Sequence, residues 1–182
     1  MPDFSSLPAK AQAHLASVSK AVSGVVPKET KTWKVQTKSL VEGDQEPSVI
    51  NEVKAWSEKG CVYLYTFSMA SEKNDPSNLI EAYANAKASE KGNRAYARLN
   101  QASRCMYVGS SEKIHQRLKE HLGFGAKGTY SLQLARWASP FDLELEFECA
   151  KYPAGIDSEV LQALEDTLWA ELLPMFGRQG AR

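Results

Sequence analysis

Alternation of apolar and polar residues marks the clearest predicted strand at residues 141–149. The run Phe-Asp-Leu-Glu-Leu-Glu-Phe-Glu-Cys places apolar side chains on one face and four acids on the other. Residues 61–67 form a short run rich in β-branched and aromatic residues, which predicts a buried strand, and residues 104–109 predict the next one. Residues 32–37 alternate over a shorter run and predict an additional short strand.

Helical spacing of apolar residues accounts for most of the remaining chain. The predicted helices cover residues 5–23, 48–58, 78–91, 111–122 and 132–137, and a last one begins at Asp157 and ends before Pro174. The pattern predicts an α+β fold, in which a small central sheet of three core strands is flanked by helices. We expect residues 1–59 to form an N-terminal helical extension, residues 60–177 the main domain with a long helical insert at 68–103, and residues 178–182 a tail.

Charge is segregated along a chain whose formal net charge is zero. Residues 104–136 carry six Lys or Arg against two acids, whereas residues 141–171 carry nine acids against one Lys. This distribution is compatible with one face that attracts phosphate, and equally with ordinary solvated faces.

Composition is that of a globular protein, and no apolar stretch is long enough to cross a membrane. The first residues lack the basic and apolar segments of a secretion signal. Cys61, Cys105 and Cys149 each fall in a predicted strand and are expected to be reduced core residues. These features predict a cytoplasmic protein without a membrane partner.

Glu165 stands out in the last predicted helix. At about 100° per residue it falls within the apolar stripe formed by Leu161, Leu168 and their neighbours. A carboxylate there is costly unless it is paired or binds a metal ion. The plainer alternative is a partly exposed glutamate at the edge of the stripe, satisfied by a Lys or Arg.

The helix predicted at 111–122 carries a second candidate group. His121 lies on its apolar stripe, and Arg117 projects from the same side one turn earlier, a pair that suits phosphate binding. The alternative is a core-edge histidine beside an arginine that serves packing. Tyr63 and Tyr107 lie near the middle of two predicted strands, which alone is a weak signal.

Taken in order, these residues resemble the GIY-YIG nuclease family. The matching positions are Cys61-Val-Tyr63, Tyr107-Val-Gly109, Arg117, His121, Glu165, Leu168, Leu172 and Pro174. Five short motifs in the expected order carry more weight than any one of them. The resemblance spans residues 61–177 and implies two paired tyrosine strands, then a helix with a catalytic arginine, then a helix with a metal-binding glutamate.

Three positions depart from the family pattern. Cys61 stands where the family has the first glycine of GIY, so Tyr65 is an alternative to Tyr63. Gly177 stands where the family usually has an asparagine that orders the site. The insert at 68–103 is longer than the usual connection, and its basic residues either contact DNA or belong to an extended core; they are Lys87, Lys91, Arg94 and Arg98.

The resemblance implies an endonuclease that hydrolyses DNA with a single Mg²⁺, for which Mn²⁺ can substitute. Glu165 would hold the metal ion and Arg117 the scissile phosphate. Tyr63 would position or deprotonate the attacking water, with His121 as the alternative base, and Tyr107 would hydrogen-bond the water or the phosphate. Basic residues expected to contact the DNA backbone are Lys113, Lys119, Lys127 and Arg136.

Two other functions remain open at this point. A DNA-binding module could keep the nuclease fold without cutting, as the Gly177 departure suggests. A protein-interaction domain could use the acidic strand face and the N-terminal helix to bind a partner. The sequence predicts neither the DNA structure that is recognised nor the oligomeric state, and a homo-oligomer is one possibility.

Overall fold

The computed structural model describes residues 4–41, 43, 45–72, 74–89 and 94–180. The helices are α1 (Leu7–Ser23), α2 (Ser48–Trp56), α3 (Pro76–Ser89), α4 (Ile114–Leu122) and α5 (Ser158–Leu172). The strands are β1 (Glu29–Gln36), β2 (Val62–Met69), β3 (Cys105–Ser111) and β4 (Glu144–Tyr152). Short 3₁₀ turns cover Phe4–Ser6, Thr37–Ser39, Leu134–Arg136 and Ser139–Phe141.

The four strands form one antiparallel sheet in the order β1-β4-β2-β3. The predicted α+β fold with three core strands is therefore confirmed, and β1 adds a fourth strand at the edge next to β4. β1 begins at Glu29, earlier than the alternation at 32–37 predicted, and runs antiparallel to β4 along its whole length.

Two local predictions are wrong for identifiable reasons. Within residues 132–137 the structure forms a 3₁₀ turn at Leu134–Arg136 rather than a helix, because Gln133 adopts a left-handed φ of 54°. The strand predicted from residue 141 begins at Glu144, because Asp142 also adopts a left-handed conformation, with φ of 48°. Side-chain alternation shows which face a residue takes, but it does not report these backbone kinks.

The sheet is covered on both faces, which explains why the sequence of β2 is apolar at almost every position. Tyr63, Tyr65 and Phe67 point into the larger core, which α2, α3 and α4 complete. Val62 and Leu64 point to the other side, where Leu161 of α5 covers them. The helix that carries Arg117 and the helix that carries Glu165 therefore lie on opposite sides of the sheet.

Segments outside the sheet pack on one another around it. α1 packs against α5 and α2 against α4. After α3, the chain at Leu99 bridges to Phe176, and the N–H of Asn100 donates to the Met175 carbonyl at 2.7 Å. The predicted boundaries at residues 59 and 177 remain predictions. Lys91 and the end of the tail lie outside the described residues.

The three cysteines are buried and unpaired. No helix among the described residues is long and apolar enough to span a bilayer.

Trp33 tests whether β1 is part of the same cooperative core. Its buried ring lies 5.1 Å from the ring of Trp56 and 5.9 Å from that of Phe147, between centroids. We expect Trp33→Ala to lower the free energy of unfolding by about 3–5 kcal/mol, since a large buried ring is lost. The control is Thr32→Ala on the exposed face of β1, with an expected change below about 1 kcal/mol. Urea unfolding followed by circular dichroism measures both, and equal effects would show that β1 is peripheral.

Candidate active site

Arg117 is the centre of a hydrogen-bonded cluster at the edge of the sheet. Its guanidinium donates to the Tyr65 hydroxyl from Nε at 3.0 Å and to the Tyr107 hydroxyl from Nη2 at 3.0 Å. Nη2 also donates to the Tyr130 carbonyl at 2.9 Å, and Nη1 to Glu120 Oε2 at 2.9 Å. Burial lowers the pKa of Arg117, but Tyr65, Tyr107 and Glu120 outweigh it and raise that pKa, so the charge is permanent. Only one N–H, on Nη1, lacks a partner among the described residues.

His121 holds the Tyr65 hydroxyl from the other side. Its ring is fully buried, and Nδ1 accepts a hydrogen bond from the backbone N–H of Leu132 at 3.3 Å. A backbone amide can only donate, so the proton of the neutral ring sits on Nε2, 3.0 Å from the Tyr65 hydroxyl oxygen. Burial and the charge of Arg117 hold the pKa of His121 well below its ordinary value, so the ring is neutral.

Tyr65 consequently has an unusual hydroxyl. The oxygen accepts from Arg117 and from His121, which leaves its own proton for a third partner; no described residue accepts it. Burial raises the pKa of Tyr65 well above that of a free phenol, whereas Arg117 lowers it. A positive charge brought close to this oxygen would lower the pKa further.

Gly109 is required by the close approach of two tyrosine rings. Tyr65 and Gly109 face each other in the β2–β3 pairing. A Cβ on Gly109 would lie 2.8 Å from the Tyr65 hydroxyl oxygen and 2.8 Å from Cε1 of Tyr107. The two rings stack at 6.1 Å between centroids and 13° between planes. Only glycine leaves room for both hydroxyls to reach Arg117.

Tyr63 lies away from this cluster, contrary to the prediction. Its hydroxyl accepts from the backbone N–H of Glu58 at 2.6 Å and donates to the Glu58 carbonyl at 3.2 Å, and its ring packs on Trp56. The strand pairing explains the error: Gly109 is opposite Tyr65, whereas Tyr63 is opposite Ser111, two residues further along. Tyr65, the alternative in the sequence, occupies the position beside Tyr107 and Arg117.

Glu165 approaches the cluster from α5. Its side chain is half-buried, and among the described residues its carboxylate has no hydrogen-bond or ion-pair partner, unlike the paired glutamate of the plainer interpretation. It is close enough to Tyr65 for its charge to raise the pKa of that hydroxyl. α5 packs directly on β3, the strand of Tyr107. A half-buried, unpaired carboxylate is the kind of group that a cation stabilises.

The donor set fits a hard divalent cation better than zinc. Among the described residues there is no cluster of three or more His, Cys, Asp or Glu side chains that could hold a metal ion. Zn²⁺ needs three or four protein ligands, whereas Mg²⁺ keeps several waters and takes one or two carboxylates together with phosphate oxygens. A single carboxylate, that of Glu165, is enough for the ligand set of Mg²⁺ but not for that of Zn²⁺.

Glu120 belongs to the cluster although the sequence did not single it out. It forms an ion pair with Arg117 in which the two side chains are 9% and 17% exposed, respectively. The loop after α4 folds over it so closely that a Cβ on Gly125 would lie 2.7 Å from the Glu120 Cα. The i, i+3 spacing from Arg117 was a usable signal, but the burial comes from the loop.

The predicted DNA-backbone residues are dispersed. Lys113 lies at the start of α4 and lines a shallow depression with Arg117. Lys119 pairs with Glu46, Lys127 is exposed in the loop after α4, and Arg136 is half-buried in a 3₁₀ turn. The structure therefore brings one of the four next to Arg117, and the roles of all four remain predictions.

A pocket of about 510 Å³ opens beside Tyr107 and Arg117. Its other polar side chains come from the insert, the loop after α4 and the C-terminal segment: Lys87, Tyr96, Arg98, Tyr130 and Arg178. Arg94, also from the insert, turns instead to the Gly125 carbonyl and the Gln133 side chain. Basic residues of the insert thus divide between the pocket and the core.

Asn100 orders the segment in which the family asparagine is missing. Its Nδ2 donates to the carbonyls of Pro174 and Gly177, each at 3.1 Å. Gly177 has a φ of 109°, and a Cβ there would lie 3.1 Å from Cε2 of Tyr107. A side chain at 177 would be strained and would press on the tyrosine, and an amide from the insert, that of Asn100, hydrogen-bonds this segment.

Comparison with known proteins identifies a family match. A family model described as the GIY-YIG catalytic domain matches residues 94–168. The match includes Tyr107, Arg117, His121 and Glu165, and it begins after β2, so Tyr65 is placed by the structure alone. No curated protein and no solved structure matches the chain.

The buried neutral His121 predicts a pH-dependent stability. Its pKa is depressed in the folded state, so the unfolded chain binds more protons below about pH 6.5. Stability should be at its full value above that pH and fall below it, by up to about 1.4 kcal/mol per pH unit. Urea unfolding at pH 7.5, 6.5 and 5.5 should show a smaller fall for His121→Gln than for the parent protein.

The comparison variant is His115→Gln. Burial and Lys54 lower the pKa of His115, but its ring is only half-buried, so this variant should change the slope less. Equal slopes for the parent and His121→Gln would show that His121 titrates freely in the folded protein.

Proposed function

We propose that the chain, in which a GIY-YIG catalytic domain model matches residues 94–168, is a metal-dependent DNA endonuclease whose site is built by Tyr65, Tyr107, Arg117 and Glu165. The observation that carries the proposal is the Tyr65 hydroxyl. Two N–H groups hold its oxygen, its proton is directed to no described residue, and the unpaired Glu165 carboxylate lies near it.

Arg117 would bind the scissile phosphate. One N–H of its planar guanidinium, on Nη1, has no partner in the described part of the chain, and its charge is only partly balanced by Glu120. The hydroxyl of Tyr107, already 3.0 Å from Nη2, would hydrogen-bond a phosphate oxygen on the same side. The stacked rings and Gly109 fix both groups before the substrate arrives, so little reorganisation is needed.

Tyr65 would act on the attacking water. Loss of its proton to solvent leaves a phenolate that Arg117 and His121 stabilise through the two hydrogen bonds already present. The Tyr65 oxygen then takes a proton from water as the water oxygen attacks phosphorus, and the bond from phosphorus to the 3′-oxygen breaks. A divalent cation held by Glu165 would supply the positive charge that lowers the pKa of Tyr65 and stabilises the departing oxygen.

His121 fits a positioning role better than the role of the base. Its Nε2 carries a proton, and its Nδ1 accepts from a backbone amide. A general base needs a free lone pair within reach of water. Neither ring nitrogen provides one, so His121 would orient Tyr65.

The function is tested by incubating the purified chain with supercoiled plasmid and Mg²⁺ or Mn²⁺. We expect nicking that Glu165→Gln reduces on the order of 100-fold or more, because the isosteric amide cannot hold the cation. The control is Glu171→Gln, an exposed carboxylate on the same helix that should leave the rate unchanged. DNA binding without any cleavage would favour a non-cutting module, and the absence of salt-dependent DNA binding would favour a protein-interaction domain.

A pair of matched variants distinguishes the roles of Tyr63 and Tyr65, the two tyrosines of β2, in cleavage. Tyr65→Phe removes the hydroxyl beside Arg117 and should lower the cleavage rate on the order of 100-fold. Tyr63→Phe removes only the bonds to the Glu58 backbone and should keep the rate within about threefold of the parent, unless folding is weakened, which melting measures.

The pH profile of the parent distinguishes Tyr65 from His121 as the base. A tyrosine base predicts a rate that keeps rising through alkaline pH. A histidine base with a depressed pKa predicts a plateau already reached below about pH 6.5. A plateau, or full activity in Tyr65→Phe, would overturn the assignment.

A further inference from the structure

The pocket beside Arg117 is not made by the strands and helix that carry the reacting groups. Lys87 comes from α3, and Arg98 from the segment that follows it. Tyr130 comes from the loop after α4, and Arg178 from the C-terminal segment. Arg117 and Tyr107 form the wall that the pocket shares with the site of cleavage.

We propose that this pocket binds one unpaired nucleotide next to the scissile phosphate, so that the substrate is single-stranded DNA or DNA with an unpaired nucleotide at a junction. The proposal rests on the function proposed above and adds the substrate class to it. Because the pocket shares Arg117 with the site, a nucleotide bound in it is a direct neighbour of the phosphate that Arg117 holds.

Tyr130 supplies an aromatic surface for a base. It is 68% exposed, an unusual position for a large ring, yet its backbone is fixed because its carbonyl accepts from Arg117 at 2.9 Å. An exposed ring on a fixed backbone suits stacking on a nucleobase, and such stacking tolerates any base sequence. Tyr96 is buried at the pocket wall and packs edge-on against Tyr83 at 5.5 Å, which makes that wall rigid.

The charges around the pocket suit a phosphodiester backbone. Lys87, Arg98 and Arg178 are exposed, and none of them forms an ion pair with any part of the chain that the structure describes. Among the described residues, no acid lines the pocket itself. Three unpaired cations around an aromatic surface form the combination with which proteins hold single-stranded nucleic acid.

The shape of the pocket argues against a duplex as the preferred substrate. A concavity of about 510 Å³ is in the size range of small-molecule sites. A base that stays paired and stacked cannot present its face to Tyr130, so a duplex would have to extrude a nucleotide at a free-energy cost. DNA that is already unpaired avoids this cost.

The test measures binding without catalysis. Fluorescence anisotropy, with the full chain in EDTA, compares a labelled single-stranded oligonucleotide with its duplex. We expect the single strand to bind at least about tenfold tighter, and Tyr130→Ala to lose about tenfold for the single strand only. Tyr130→Phe should bind as the parent does, because the ring is retained. Melting curves check that each variant is folded.

A charge variant makes the test independent of Tyr130. Arg98→Ala should lower the slope of the logarithm of affinity against the logarithm of salt concentration by about 0.7 for the single strand. Lys20→Ala, an exposed cation of α1 outside the pocket, should leave the slope unchanged. Equal affinities for single strand and duplex, or parental binding by Tyr130→Ala and Arg98→Ala, would overturn the proposal.

Cleavage of the same oligonucleotides with Mn²⁺ separates the two proposals. Strong single-strand binding that depends on Tyr130, without any cleavage, would refute the proposed hydrolysis and support nucleotide binding in the pocket. Cleavage that depends on Glu165, with no preference for unpaired DNA, would support the proposed hydrolysis and refute the binding of an unpaired nucleotide in the pocket.

Discussion

The buried charge of Arg117 is the interaction on which the rest of the site depends. A guanidinium that is 17% exposed must find partners for its donors, and it finds Tyr65, Tyr107, Glu120 and the Tyr130 carbonyl. Each partner comes from a different part of the chain. The strand register, the glycine at 109 and the loop after α4 are the means by which the fold brings these partners together.

The helical part of this arrangement could be predicted from the sequence because helical geometry is regular. Counting 100° per residue placed His121 beside Arg117, and it placed Glu165 on an inward-facing stripe. The strand part was not determined in the same way. Tyr63 and Tyr65 point to the same face of β2, so the pattern of side chains cannot choose between them, and the choice depends on which one pairs with Gly109 across the insert.

Contacts between residues that are far apart along the chain could not be predicted from the sequence either. Asn100 is distant along the chain from Pro174 and Gly177, and no periodicity links them, yet its amide holds the segment in which the family has its own asparagine. The amide of Asn100 therefore hydrogen-bonds the same segment in which the departure at Gly177 lies. Tyr130 gave no signal at all, because an exposed aromatic residue in a glycine-rich loop has no pattern of its own.

The N-terminal residues change the interpretation of the acidic strand. Glu144 of β4 is bound by Lys34 of β1 at 2.8 Å and by Gln36 at 3.0 Å, so part of the acidic face is balanced within the sheet. Lys87, Arg98 and Arg178, in contrast, have no ion-pair partner among the described residues and line the pocket beside Arg117. A neutral chain can in this way present one phosphate-binding surface.

Location of the metal ion tests the central claim most directly. Crystals soaked in Mn²⁺ and measured for anomalous scattering would show where a divalent cation binds. We expect a peak at coordination distance from the Glu165 carboxylate, on the side that faces the hydroxyl of Tyr65. A peak at Glu144 or Glu148 of the acidic strand face, with none at Glu165, would contradict a single site in which a carboxylate from one side of the sheet and an arginine from the other act on the same phosphate.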